Sequence, residues 1–275
     1  MQEHFFEERG LRYRTNAFMP GRQTLVFVHG LVGSASAWSE YEKYFEADYN
    51  VLTFDMRGHG MSKKWRHCDD YSLKEFSQDI FELISLLGIK EIILIGHSFA
   101  TLVVFEFLVA HQDIVESAVF LSPSFSLKRS GRTQNAAWLP SIGAQLIEYI
   151  PTSLKIRGRT DYTKYKNSKD WHIWRTIADT HNTSIRTWLY AMKNAYEVDY
   201  ESFLDQITIP ILIIHGRNDS MFPLANSFAM EKKIRNAKLI VLENTDHIIV
   251  LNNAKEVTAA IQSFVKRYPS PRGKE

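Results

Sequence analysis

The chain has 275 residues, 45% hydrophobic and 23% charged, with 33 Lys or Arg against 31 Asp or Glu. This composition excludes a disordered polar chain, and a net charge of +2 leaves no nucleic-acid footprint over the whole molecule. The single cysteine, Cys68, excludes an internal disulfide and fits a reducing, cytoplasmic setting.

The first residues, Met1-Gln-Glu-His-Phe-Phe-Glu-Glu-Arg9, carry no basic segment followed by an apolar one, so no secretory signal is expected. Residues 5–13, turning at Gly10, predict an antiparallel hairpin at a sheet edge. Short runs rich in Val, Ile and Leu follow at 24–29, 51–55, 91–96, 118–122, 209–215 and 238–242. They lack polar alternation, as parallel strands covered on both faces do. Helical segments are expected at 36–45, 73–87, 99–111, 224–234 and 253–265. In the second of these, Leu73, Phe76, Ile80, Leu83, Ile84 and Leu87 form one apolar stripe, and Gly88 is placed to stop it. Strand–helix alternation of this kind predicts a doubly wound, mostly parallel α/β sheet.

The most apolar stretch, 92–110, is interrupted by His97, Ser98, Thr101 and Glu106 and reads as a buried strand entering a helix, not a membrane span. From 123 to 208 the alternation lapses, and Trp138, Trp171, Trp174 and Trp188 fall within this segment. Residues 126–200 hold 12 Lys or Arg and 6 Asp or Glu, a net of +6 against +2 for the whole chain. The expectation is an inserted helical cap at 123–208, since structureless loops of that length are uncommon. The cap would cover a core formed by 1–122 and 209–267. Its tryptophans and the apolar run 136–150 would supply walls, and its Lys and Arg would lie on outer faces. Residues 268–275 are polar and proline-broken and are expected to form a flexible tail.

Chemistry concentrates at the ends of the apolar runs. Gly96-His97-Ser98-Phe99-Ala100 follows a buried run and opens a helix expected to be amphipathic, the setting of the G-x-S-x-G nucleophile turn with alanine in its last place. His29-Gly30-Leu31-Val32-Gly33 follows the first parallel run, and Asp55-Met-Arg-Gly-His-Gly-Met-Ser62 follows the second. Ile213-Ile-His-Gly-Arg-Asn-Asp219 and Thr245-Asp-His247 come late, giving the order Ser, Asp, His.

With these five motifs the sequence resembles the α/β-hydrolase fold, in its serine esterase, lipase and lactonase group, over almost the entire chain apart from the insert. The resemblance implies a triad of Ser98, Asp219 and His247, with oxyanion donors at the backbone N–H groups of Leu31 and Phe99. A serine needs an adjacent base; His247 would take its proton and later protonate the leaving group, while Asp219 fixes the imidazole tautomer. Asp246 is a poor rival, because it would point away from its neighbour His247. His29, His59 and His97 are expected to hold turns through ring hydrogen bonds, with Asp55 and Arg57 pinning the turn beside them. No H-E-x-x-H and no strand-borne G-x-G-x-x-G occurs, so neither a metal nor a dinucleotide cofactor is expected.

The expected activity is cleavage of a carboxylic ester, with a short- to medium-chain acyl group or a lipid-like small molecule as substrate, through an acyl-enzyme. The same triad would also serve lactone opening, carbon–carbon cleavage, amide hydrolysis or perhydrolysis. Alternatives of another class are a ligand receptor built on the fold and a peripheral lipid-binding module, the latter suggested by the basic, tryptophan-rich insert. No nucleic-acid partner and no integral membrane segment is expected.

Overall fold

The computed structural model describes residues 1–129 and 138–268. The N-terminal hairpin pairs β1 (Gln2–Phe6) with β2 (Leu11–Thr15), and Gly10 turns it at φ +64°. All six apolar runs are strands: β3 (Thr24–Val28), β4 (Asn50–Phe54), β5 (Ile92–His97), β6 (Val115–Leu121), β7 (Ile211–Gly216) and β8 (Ala237–Leu242). With the hairpin they make one eight-stranded sheet of order β1-β2-β4-β3-β5-β6-β7-β8. It is parallel from β4 to β8, and β2 joins β4 antiparallel.

Successive residues of the central strands feed two separate cores, as a sheet covered on both faces requires. Val26, Leu94 and Phe120 face one core; Phe27, Ile95 and Val119, one residue along, face the other. Helices α2 (Leu73–Leu86) and α3 (Ala100–His111) cover the first face, with α7 (Leu224–Lys233). Helices α1 (Ser39–Phe45) and α9 (Ala254–Arg267), with the single turn α8 (Ile249–Asn252), cover the second. The stripe on α2 buries Leu73, Phe76, Ile80, Leu83 and Ile84. Ser72 caps its N-terminus, accepting from the Glu75 N–H, and Gly88 at φ +66° ends it. β8 departs from the expectation of cover on both faces: it is an edge strand, and its residues are only partly buried.

Helix α3 corrects a second expectation. It is not amphipathic: Ala100 to Phe105, Phe107 and Leu108 are all buried. The sheet, α2 and the insert enclose it, so it has no solvent face over its first two turns.

Between β6 and β7 lie α4 (Trp138–Glu148), α5 (Ile173–Thr183) and α6 (Ile185–Glu197), with no strand among the described residues of that stretch. The start of the apolar run 136–150 and the tail from 269 onward lie outside the described residues. Strand order reverses beside β3, with β4 on one side and β5 on the other, and ligands of open α/β sheets bind at the carboxyl ends of such a pair.

Candidate active site

β5 ends at His97 and α3 begins at Ala100, so Ser98 and Phe99 make the whole turn. Ser98 sits at φ +56°, a left-handed conformation that costs a residue with a side chain of order 1–3 kcal/mol. Its N–H donates to Leu121 O on the neighbouring strand at 2.9 Å, and its own carbonyl accepts from the Thr101 hydroxyl at 2.7 Å, which together hold it there. Gly96 has to be small: a Cβ there would lie 2.9 Å from Val104 Cγ2 and 3.2 Å from Ala100 O. The strained turn lifts the Ser98 hydroxyl off the sheet edge.

That hydroxyl lies 2.7 Å from Nε2 of His247, and Nδ1 of the same ring lies 2.7 Å from Oδ2 of Asp219. An ionised carboxylate only accepts, so Nδ1 carries the proton and Nε2 is left to accept from Ser98. Asp219 Oδ1 also accepts from the backbone N–H groups of Met221 and Phe222, each at 2.8 Å. His215, at the end of β7, places Nε2 3.1 Å from Asp219 Oδ2, while its Nδ1 accepts from the Ser227 hydroxyl at 2.6 Å. Burial alone would raise the Asp219 pKa; the His247 charge and the hydrogen bonds from His215, His247 and the Phe222 N–H outweigh it and hold this carboxyl far below the usual range. The neighbouring Asp246 instead accepts from the Ile248 N–H at 3.1 Å and from Asn252, turned away from the imidazole.

Ser98 opens into a cavity of about 730 Å³, lined on the core side by Leu31, Phe99 and Phe222 and on the insert side by Leu127, Trp171 and Trp188, among others. Leu31 and Phe99 both border it next to Ser98, and the β3 loop presses on the turn: a Cβ on Gly30 would stand 3.4 Å from Ser98 Cβ. Two of the four tryptophans are therefore wall residues. Trp138 and Trp174, on α4 and α5, are exposed and do not border it, while Trp171 is exposed as well as lining it. The cations of the insert also divide differently from expectation. Arg175 and Arg186 are buried, donating to carbonyls and hydroxyls around them, and Arg159 donates to Asp55 Oδ2 at 2.7 Å.

The insert reaches the reacting loops through Asp170. Its Oδ1 accepts from the backbone N–H of His247 at 2.7 Å, and its Oδ2 from the N–H and hydroxyl of Ser220 at 3.1 and 2.7 Å. One buried carboxylate thus ties together the loops that bear His247 and Asp219. Further into the insert, Asp179 accepts from the Thr160 and Tyr162 hydroxyls, and burial pushes its pKa up to about 6. Sequence reasoning missed Asp170, Asp179 and His215. Only His215 left a trace, its four-residue spacing before Asp219; the other two lie in a stretch with no strand-and-turn grammar.

Three further histidines, His29, His59 and His97, hold turns. His29 donates from Nδ1 to Gly30 O at 2.8 Å and accepts the Met56 N–H at Nε2, and burial lowers its pKa to about 4. His59 donates to Arg57 O at 2.9 Å; burial and the nearby His29 lower it to about 3. His97 lies 3.0 Å through Nε2 from the carbonyl of His247. Asp55 accepts from the N–H groups of Ala35 and Met61 at 2.7 and 2.8 Å, and Arg57 pairs with Asp79 on α2 at 2.6 Å.

Residues 23–254 match the family described as alpha/beta hydrolase fold. The chain belongs to this family. Among curated relatives of this α/β hydrolase, it is 23% identical to the (E)-2-((N-methylformamido)methylene)succinate hydrolase of Acinetobacter baylyi, over 90% of this chain and 92% of that one. It is also 23% identical to a probable lysophospholipase of Arabidopsis thaliana, BODYGUARD 1, covering 91% of this chain but spanning only 60% of that relative's length. Among solved structures, an esterase from Thermogutta terrifontis superposes with a TM-score of 0.75 at 17% identity, over 94% of each chain. The enol-lactonase of Burkholderia xenovorans superposes with a TM-score of 0.73 at 19% identity, over 93% of this chain and 96% of that one. At such identities the superpositions establish the fold.

Proposed function

We propose that this α/β hydrolase cleaves carboxylic esters of short- to medium-chain or single-chain lipid type through an acyl-enzyme on Ser98. The observation that carries the reading is the relay Ser98–His247–Asp219, 2.7 Å at each step, open to a largely apolar cavity. His247 Nε2 takes the hydroxyl proton as Ser98 Oγ attacks the ester carbonyl, and the backbone N–H groups of Leu31 and Phe99 receive the oxyanion. Collapse of the tetrahedral species expels the alcohol, which takes the proton from Nε2. Water, deprotonated by the same nitrogen, then attacks the acyl-enzyme and releases the acid. Asp219 stays ionised throughout and stabilises the imidazolium.

Helices α4 to α6 form the cap of this site, and the half-buried Cys68 thiol is consistent with a reducing cytoplasm. The test is direct. A fluorophosphonate probe should label the protein on Ser98, and nitrophenyl butyrate should be hydrolysed. Ser98→Ala should lose both, retaining a turnover about a millionfold lower. Full turnover in Ser98→Ala would end the serine-hydrolase reading, and a panel of esters and lactones separates the two acyl chemistries.

A further inference from the structure

Twelve of the twenty large apolar side chains that the described residues leave exposed lie between positions 138 and 185. Exposure on this scale is unusual for surface that only meets water. Helix α5, next to the candidate site, carries one such stripe. Ile173, Trp174 and Ile177, at spacings that share one helix face, are 63%, 67% and 50% exposed, and Trp171 just before the helix is 72% exposed. Their buried counterparts on the same helix, Arg175 and Asp179, face inward, so the helix is inverted relative to an ordinary surface helix, apolar outward and ionic inward.

This face borders the site. Trp171, Thr176, Thr180 and Ile185 line the cavity that holds Ser98. Thr176, Thr180 and Ile185 also line a shallower hollow of about 490 Å³, with Arg157 on its wall. The junction of α5 with α6 is therefore the thin part of the roof, with the apolar stripe beside it.

The exposed charges of the same stretch are mostly basic. Between 138 and 185 the exposed ionic side chains are Lys155, Arg157, Lys164, Lys166 and Lys169, against the two exposed acids Glu148 and Asp161. Lys164 pairs with Asp161 and Lys166 with Glu40; Lys155, Arg157 and Lys169 have no carboxylate partner among the described residues. Outward tryptophan and isoleucine flanked by unpaired cations is the pattern of a segment that lies in the headgroup region of an anionic bilayer. No described helix is long and apolar enough to cross one.

From this arrangement we infer that the α5 face docks on an anionic phospholipid surface, and that the cavity takes a single-chain amphiphilic ester from it. Docking stands on the surface alone; the second clause rests on the hydrolase reading above.

The experiment is sedimentation of the full chain with phosphatidylcholine vesicles and with vesicles of phosphatidylcholine mixed with phosphatidylglycerol. Three unpaired cations predict roughly 100-fold tighter association with the anionic vesicles, lost in high salt. Trp174→Ser with Ile177→Ser should weaken that association about tenfold or more. Their nitrophenyl butyrate kcat/KM should stay within about threefold of the parent, which shows that the variant is folded, since neither residue lines the cavity. Lys155→Glu with Lys169→Glu should abolish the preference for anionic vesicles. Monooleoylglycerol doped into the anionic vesicles should be hydrolysed faster than in neutral ones, and the advantage should vanish in the Trp174/Ile177 variant. Equal binding to both vesicle types, or none, overturns docking while leaving the hydrolase reading intact. A dimer in solution that the Trp174/Ile177 variant dissociates, without vesicle binding, also overturns it and assigns the face to a second copy of the chain. Vesicle binding with no difference in monooleoylglycerol turnover overturns the substrate clause alone.

Discussion

Asp219 and Asp170 are both buried carboxylates near His247, and substitution by asparagine separates their roles. Asp219 accepts from the ring at 2.7 Å, so Asp219→Asn can present an N–H to another N–H and favour the wrong tautomer. Turnover should then fall by about three orders of magnitude or more with substrate affinity little changed. Steady-state kinetics on nitrophenyl butyrate checks this, and a harmless Asp219→Asn would place the acid elsewhere. Asp170 touches no part of the ring; it accepts from the backbone N–H of His247 and from Ser220. Asp170→Asn removes one charge-assisted acceptor, and kcat should drop about 10- to 100-fold with KM within about threefold. A lower Tm with an unchanged kcat would make Asp170 a residue of stability only. Nothing in the primary structure marked it, because the donors it joins lie 50 and 77 residues away.

The elements themselves were far more legible. Each apolar run became a strand with ends displaced by only a few residues, because a strand covered on both faces must be apolar at every position. The three loops that bear Ser98, Asp219 and His247 were readable for a related reason: each leaves the carboxyl end of a strand, where a tight turn restricts the residues allowed. The character of α3 was not readable, since periodicity cannot register neighbours supplied by distant chain. Nor was the division of the insert's arginines between surface and interior, which depends on carbonyls such as Ile147 O and Asp170 O. One element-level constraint is open to test. Gly216 ends β7 where the His247 loop crosses it, and a Cβ there would lie 2.6 Å from Asp246 O, a backbone atom with little freedom to give. Gly216→Ala should therefore cost about 1–3 kcal/mol of stability and displace His247, lowering kcat as well. Denaturant unfolding alongside kinetics would show both, and an alanine variant with parental stability and kcat would mean that the loop can yield.

At the scale of the whole molecule, the turn-holding histidines make stability depend on pH. His29 and His59 are buried neutral, with pKa values lowered to about 4 and about 3, whereas an unfolded chain binds their protons near the ordinary value of 6.5. Between those limits the unfolded state holds more protons, so stability falls as pH falls. Asp179, raised to about 6, has the opposite sign, gaining its proton in the folded state first, but it stands against three histidines, since burial lowers His97 to about 3 as well. The Tm should drop by several degrees from pH 7 to pH 5, and a flat profile over that range would contradict the burial argument. The roofed cavity of about 730 Å³ sets a second expectation for the whole molecule. Esters of short to medium chain should be turned over faster than emulsified triolein, whose three chains exceed what such a cavity encloses. Strong interfacial activation with poor turnover of dissolved esters would reverse that ranking.

The roof is also sewn to the body at many points: Arg159 to Asp55, Ser36 to the Thr160 carbonyl, Lys64 to the Thr183 carbonyl, and Asn252 to the Ser168 carbonyl. An insert joined in this way is not an interchangeable module. Grafting a foreign insert onto this core would unbind the His247 amide from Asp170 and the β4 turn from Arg159. Such a chimaera would need its own partners for both before its new pocket could matter.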